Sequence, residues 1–120
     1  MTETTKKNAM DSVTSHFRSK ITGKMKSVKV PEWDLEIWFK ESNTLKEEGR
    51  MLELAQQGKT IEALVETLIT KARHEDGSKM FKPVDRTVLL NEADPQVVIR
   101  VVGEINNANM ETTQEYVSKN

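Results

Sequence analysis

The stretch Lys29-Val30-Pro31-Glu32-Trp33-Asp34-Leu35-Glu36-Ile37-Trp38-Phe39-Lys40 closes one extended segment, turns, and opens another. Side chains of a strand alternate between its faces, so Leu35, Ile37 and Phe39 share one side, and Glu36, Trp38 and Lys40 the other. Upstream, Met25, Val28 and Val30 continue the extended pattern, and Pro31 sits at its end, where its missing donor breaks no ladder bond. The two segments read as a small antiparallel hairpin. Such a pair is marginally stable alone and must pack on the helices that follow. Trp38, on the charged face, reads either as an anchor for a partner or as a cover over a neighbouring helix.

Downstream of the hairpin the period changes from two to that of a helix. Thr44-Leu45-Lys46-Glu47 has the form of a capping box, in which hydroxyl and carboxylate each satisfy an orphaned backbone donor. The helix is expected to run to about Gln57 and stop at Gly58. Its apolar stripe is expected to be Leu45, Leu52 and Ala55, flanked by Met51 and Leu54, with Gly49 marking a close approach of another backbone. A stronger helix follows, with Thr60 as its cap. Ile61, Leu64, Val65, Leu68, Ile69 and Ala72 line one face and form the centre of the core, leaving Glu62, Glu66, Thr70 and Arg73 elsewhere. His74-Glu75-Asp76-Gly77-Ser78 is a turn, and Met80 and Phe81 return the chain to the body. Asp85 is expected to cap a short helix to Glu92, with Val88, Leu89 and Leu90 buried. Asp94-Pro95 restarts a helix with a cap and a first-turn proline. Val98, Val101, Val102 and Ile105 make its inner face, and Asn106-Asn107-Ala108-Asn109 is expected to end it.

The fold class is therefore mainly α (α+β): about four helices with a small N-terminal two-stranded β-hairpin. Residues 1–24 are read as a flexible basic arm, 25–109 as a single helical domain carrying the hairpin, and 110–120 as a polar tail. Within the arm, Met10, Val13 and Phe17 offer at most a partial helical stripe.

The chain has 120 residues, room for one modest core. Its net charge of −1 hides a division. Residues 1–30 carry seven basic and two acidic side chains, and the rest carry eleven basic and seventeen acidic ones, so a basic arm joins an acidic body. The arm mixes Lys with Ser and Thr and lacks stacking aromatics, which argues against nucleic acid as a partner. No apolar run reaches the ~20 residues of a membrane span, and no secretory leader opens the chain, so a cytosolic location is expected.

Chemistry finds little purchase. There is no cysteine and there are only two histidines, His16 and His74. No HExxH-like pair exists, and His74-Glu75-Asp76-Gly77 lacks the alternating oxygen ligands of a calcium loop. The five glycines form no phosphate-binding loop. Ser12, Ser15 and His16 lie on a segment without a supporting core. The chain is expected to have no catalytic activity and no cofactor or metal. Glu47-Glu48 and Glu75-Asp76 read as solvated surface, or as contacts for basic arms of other copies. The partner-binding residues expected from this reading are Trp33, Trp38, Phe39, Met51 and Phe81. Several of the six methionines would add adaptable apolar surface if exposed.

A Val-x-Val-Pro-Glu-Trp opening, an aromatic strand, a helix, a second helix with Ala-Leu-Val-x-x-Leu, a Glu-Asp-Gly turn before Phe81, an Asp-x-x-x-Leu-Leu segment and a Val/Ile-rich last helix succeed one another over residues 28–109. This order resembles the tail assembly chaperones of long-tailed bacteriophages. The resemblance implies a small helical, self-associating protein of the infected host's cytoplasm, absent from the finished virion. It would solubilise the tape-measure protein and recruit tail-tube subunits. It defines no site residues. The competing expectations are a small nucleic-acid-associated regulator using the arm, and a structural component of the virion.

Overall fold

The computed structural model describes residues 8–118, with side chains described through Asn109. Lys6 and Lys7 of the basic arm lie outside the described residues. In chain order the elements are α1 (Ala9–Thr22), β1 (Lys26–Val30), β2 (Leu35–Phe39), α2 (Leu45–Gln56), α3 (Thr60–Lys71), α4 (Arg86–Glu92) and α5 (Pro95–Ser118). The fold is mainly helical with one small sheet, as the residue pattern predicts.

β1 and β2 pair antiparallel with Val28 opposite Ile37 and Val30 opposite Leu35, so the apolar positions of both strands share a face. The connection is a single turn of 3-10 helix, Pro31–Trp33, closed by Asp34 in the left-handed region at φ 52°. Asp is one of the few residues that adopt this conformation cheaply. On its outer edge Trp38 exchanges two backbone bonds with Arg73, of 2.9 and 2.8 Å. Arg73 in turn bridges to Lys79. The hairpin edge is thereby tied to the end of α3 and to the turn that follows.

The core lies between this hairpin, α3 and α5. Val30, Ile37, Phe39, Leu68, Ala72, Val97, Val101 and Ile105 form one buried cluster, with Trp33, Met80, Phe81 and Leu89 packed against it. Each fully buried aliphatic or aromatic side chain in it contributes roughly 1.5–3 kcal/mol. On α5 the expected inner face of Val98, Val101, Val102 and Ile105 is buried, and Val97 joins it. Asp94 accepts the Gln96 N–H at 2.9 Å and starts that helix.

Several expectations are corrected. Residues 9–22, read as a flexible arm with at most a partial helix, form α1, capped by the Asn8 side chain, which accepts from the Met10 N–H at 2.9 Å. The asparagines at 106, 107 and 109 do not end α5, which runs to Ser118, because asparagine costs a helix only a few tenths of a kcal/mol, less than glycine or proline would. On α2 the stripe is rotated: Leu45 and Leu52 are exposed and Met51 is buried. Gly49 has no neighbour within 4 Å of where a Cβ would stand, so no backbone approaches it. The capping box at Thr44 and Glu47 is present, and Gly58 ends α2's turn at φ 77°. Thr60 is the first residue of α3 rather than its cap, and Lys59 precedes it without a side-chain bond. Glu66, expected outside the core, is 5% exposed.

Candidate functional site

α3 is a polar hub as well as the core helix. The buried Glu66 carboxylate accepts from Arg50 of α2 at 3.1 Å and from Arg86 of α4 at 2.8 and 3.2 Å. One turn and a half further on, Lys71 pairs with Glu48 of α2 at 3.2 Å and donates to Asn106 of α5 at 3.4 Å. The two pairs to α2 have opposite polarity. Exchanging or sliding the helices would set like charges together, so these pairs fix register as much as they bind.

Holding α4 through Arg86 leaves its aliphatic run only partly used. Val88, Leu89 and Leu90 are consecutive, and successive helical residues point about 100° apart, so all three would be buried only if neighbours covered more than half of α4, as they do around residues 65–69 of α3. Leu89 turns inward, whereas Val88 is 54% and Leu90 is 36% exposed. Leu90 joins Ile61 and Leu64 of α3 and Ile99 of α5 around a shallow apolar groove, whose floor includes Val65, Leu89 and Val98. Its volume of about 50 Å³ suits an inserted side chain and not a cofactor. Ile61 and Ile99 stand half-exposed on its walls. Glu62, Glu92 and Asp94 are chain neighbours of groove residues, and Glu62 and Glu92 have no ion pair among the described residues. The groove is thus an aliphatic surface whose charged chain neighbours are Glu62, Glu92, Asp94 and, after Ile99, Arg100.

The residues singled out from sequence fall elsewhere. Phe39, at 1% exposure, and Met51, at 7%, are buried and present nothing to a partner. Trp33 and Phe81 are half-buried against the same core cluster as Phe39. Trp38 is half-buried on the opposite face of β2, its backbone held by Arg73. Phe81 also borders a depression rimmed by Arg50, Lys79, Lys82 and Arg86. The groove itself went unread, although Ile99 carried a signal: it is an aliphatic residue off the buried face of its helix.

Charged groups around the body are structural in their effects. Hydrogen bonds from the Arg100 guanidinium hold the Glu32 carboxyl below the usual range and raise Arg100, clasping the hairpin turn to α5. Partial burial pushes Glu47 up, but the Thr44 N–H and hydroxyl outweigh it and lower the carboxyl. The Ser78 hydroxyl and N–H hold Asp76 low in its turn. Burial, with Arg73 nearby, lowers Lys79. Among the described residues no three His, Asp or Glu side chains converge as a metal site, and no helix is long and apolar enough to cross a membrane.

A chain with this order of elements has been solved before. The structure of the bacteriophage HK97 tail assembly chaperone superposes with a TM-score of 0.58, covering 80% of this chain and 91% of that one at 18% identity. The two share a fold. No family model matches the chain, and no curated protein does. The likeness spans nearly the whole of the solved chaperone, so it concerns the arrangement of helices and hairpin together and not one common motif.

Proposed function

We propose that this chain is a non-catalytic tail assembly chaperone of a long-tailed phage. It binds the tape-measure protein and keeps its apolar helices soluble, brings tail-tube subunits to it, self-associates, and works in the cytoplasm of the infected bacterium without entering the virion. The observation that carries this reading is the fold shared with the HK97 chaperone over most of both chains. The surface agrees with such work. Leu45, Leu52, Val84 and Val88 are separate outward aliphatic side chains, at 88, 59, 78 and 54% exposure, suited to many weak contacts along a helical client. A client held by modest repeated contacts can be released as the tube closes around it.

Co-expression with the tape-measure protein of the same phage tests the proposal. The client is expected to move from the insoluble to the soluble fraction and to co-purify with this chain. A client that stays insoluble, or soluble without it, overturns the reading. Mass spectrometry of purified particles is expected to find tail-tube protein and none of this chain.

A further inference from the structure

The clasp on Glu66 is electrically incomplete. Its single carboxylate holds the guanidiniums of both Arg50 and Arg86, so one of their two positive charges stays uncancelled. Among the described residues Arg50 donates through one nitrogen and Arg86 through two, which leaves both with N–H groups to spare. Their side chains stay open to solvent, at 60 and 41% exposure, whereas Glu66 is buried. They line a depression of about 270 Å³ with Lys79, Lys82, Phe81 and Pro83. Glu47 also borders it, but its carboxylate is taken by the Thr44 N–H and hydroxyl. On the other side of the arginines, Glu53 and Glu62 border a second hollow, and among the described residues neither makes an ion pair with them. The excess is felt at Lys79. Burial lowers its pKa most, and the charge of Arg73 lowers it further by more than Glu47 raises it.

We infer that this depression seats a carboxylate of the client. An Asp or Glu on a helical client segment enters between Arg50, Arg86 and Lys82, and an apolar neighbour of it rests on Phe81, Pro83 and the outward Val84. Charge and lining together choose the occupant. A carboxylate supplies the missing negative charge and accepts from guanidinium groups that Glu66 already holds in place, so little side-chain freedom is lost on binding. The apolar part of the lining calls for an aliphatic or aromatic side chain beside that charge, as an amphipathic helix provides. Nucleic acid fits less well, because residues 31–120 carry seventeen acidic side chains against eleven basic ones and repel a polyanion. Lys79 is committed to the Thr70 carbonyl, whereas Lys82 makes no ion pair among the described residues and is free to turn to the ligand. This deepens the proposed function by giving the chemistry of the client segment, and it rests on that reading.

The test uses the full chain co-purified with the tape-measure protein of the same phage after nuclease treatment. A carbodiimide joins a lysine amine to a touching carboxylate as an amide, itself taking up the water that is lost, and adds no spacer. Mass spectrometry is expected to find Lys82 joined to an Asp or Glu of the client that has an apolar residue within one helical turn. Lys82→Glu is expected to keep the wild-type melting temperature and to weaken client binding at least about tenfold. Arg50→Lys, which keeps the charge and loses the planar fork, should weaken it about three- to tenfold. If Lys82→Glu lowers the melting temperature, Lys82→Gln replaces it. A wild type that captures no client overturns the proposed function and this site with it. Client held equally well by the Lys82 variant, or a Lys82 joined to no client residue, leaves the proposed function standing and overturns the site. Links to carboxylates of a second copy in place of the client's overturn it too, as does binding lost on nuclease treatment.

Discussion

Helices α1 and α3 have similar lengths, 14 and 12 residues, but α1 buries none of its side chains and α3 buries six. Capping runs the other way. Asn8 bonds the first turn of α1, while Lys59 before α3 makes no side-chain bond. A cap contributes about 1 kcal/mol, and a single buried leucine contributes more than that. Packing therefore decides which helix is fixed in the body and which is left for something else to cover. The two charged residues buried in α3 belong to the same contrast, because they reach α2, α4 and α5 and make α3 the element through which the other helices are held.

Leu68→Ala strikes the buried side of the comparison. It should cost about 2–5 kcal/mol, read from urea unfolding, and a loss below about 1 kcal/mol would break the contrast. Arg86→Ala removes both bonds that α4 makes to Glu66, and about 1.5–3 kcal/mol is expected, with α4 amides exchanging faster than those of α3. α2 stands between the extremes, and its cap is testable. Thr44→Ala should cost about 1 kcal/mol. Because the Glu47 carboxyl is held below its ordinary value, the stability tied to it is complete above the unfolded pKa near 4.3 and is lost as pH falls through the lowered folded value. In Thr44→Ala that acid loss should shrink, as followed by melting temperature between pH 6 and 3. Gly49→Ala, with open space around the new methyl group, should stabilise by about 0.5–1 kcal/mol. Val13→Ala should change body stability by less than about 0.5 kcal/mol, and a larger loss would show that α1 packs on its own chain.

Local signals in the sequence read well. The paired strands followed from alternation, the capping box from Thr44 and Glu47, most of the buried face of α3 from its spacing, although Ile61 at its start is 53% exposed, and the restart at Asp94-Pro95 from cap chemistry. What failed needed knowledge of distant neighbours. Glu66 is buried only because Arg50 and Arg86, 16 and 20 residues away in sequence, converge on it. α2 is apolar on more than one side, so periodicity could not choose between Met51 and Leu52. The aromatic residues taken as partner contacts were chosen for chemistry that serves interfaces and cores alike, and Phe39 went to the core. Val88-Leu89-Leu90 was read as wholly buried, which needs cover on more than one side of α4, and Val88 is 54% exposed. That error hid the groove, whose parts come from three helices.

The hydrogen bond from Lys26 to Ala108 has a practical consequence for anyone labelling the molecule. It brings the chain's approach to β1 and the later part of α5 to one pole of the body, opposite Pro95 and the groove. A fluorophore attached near Lys24 would trail from that pole and leave the groove uncovered.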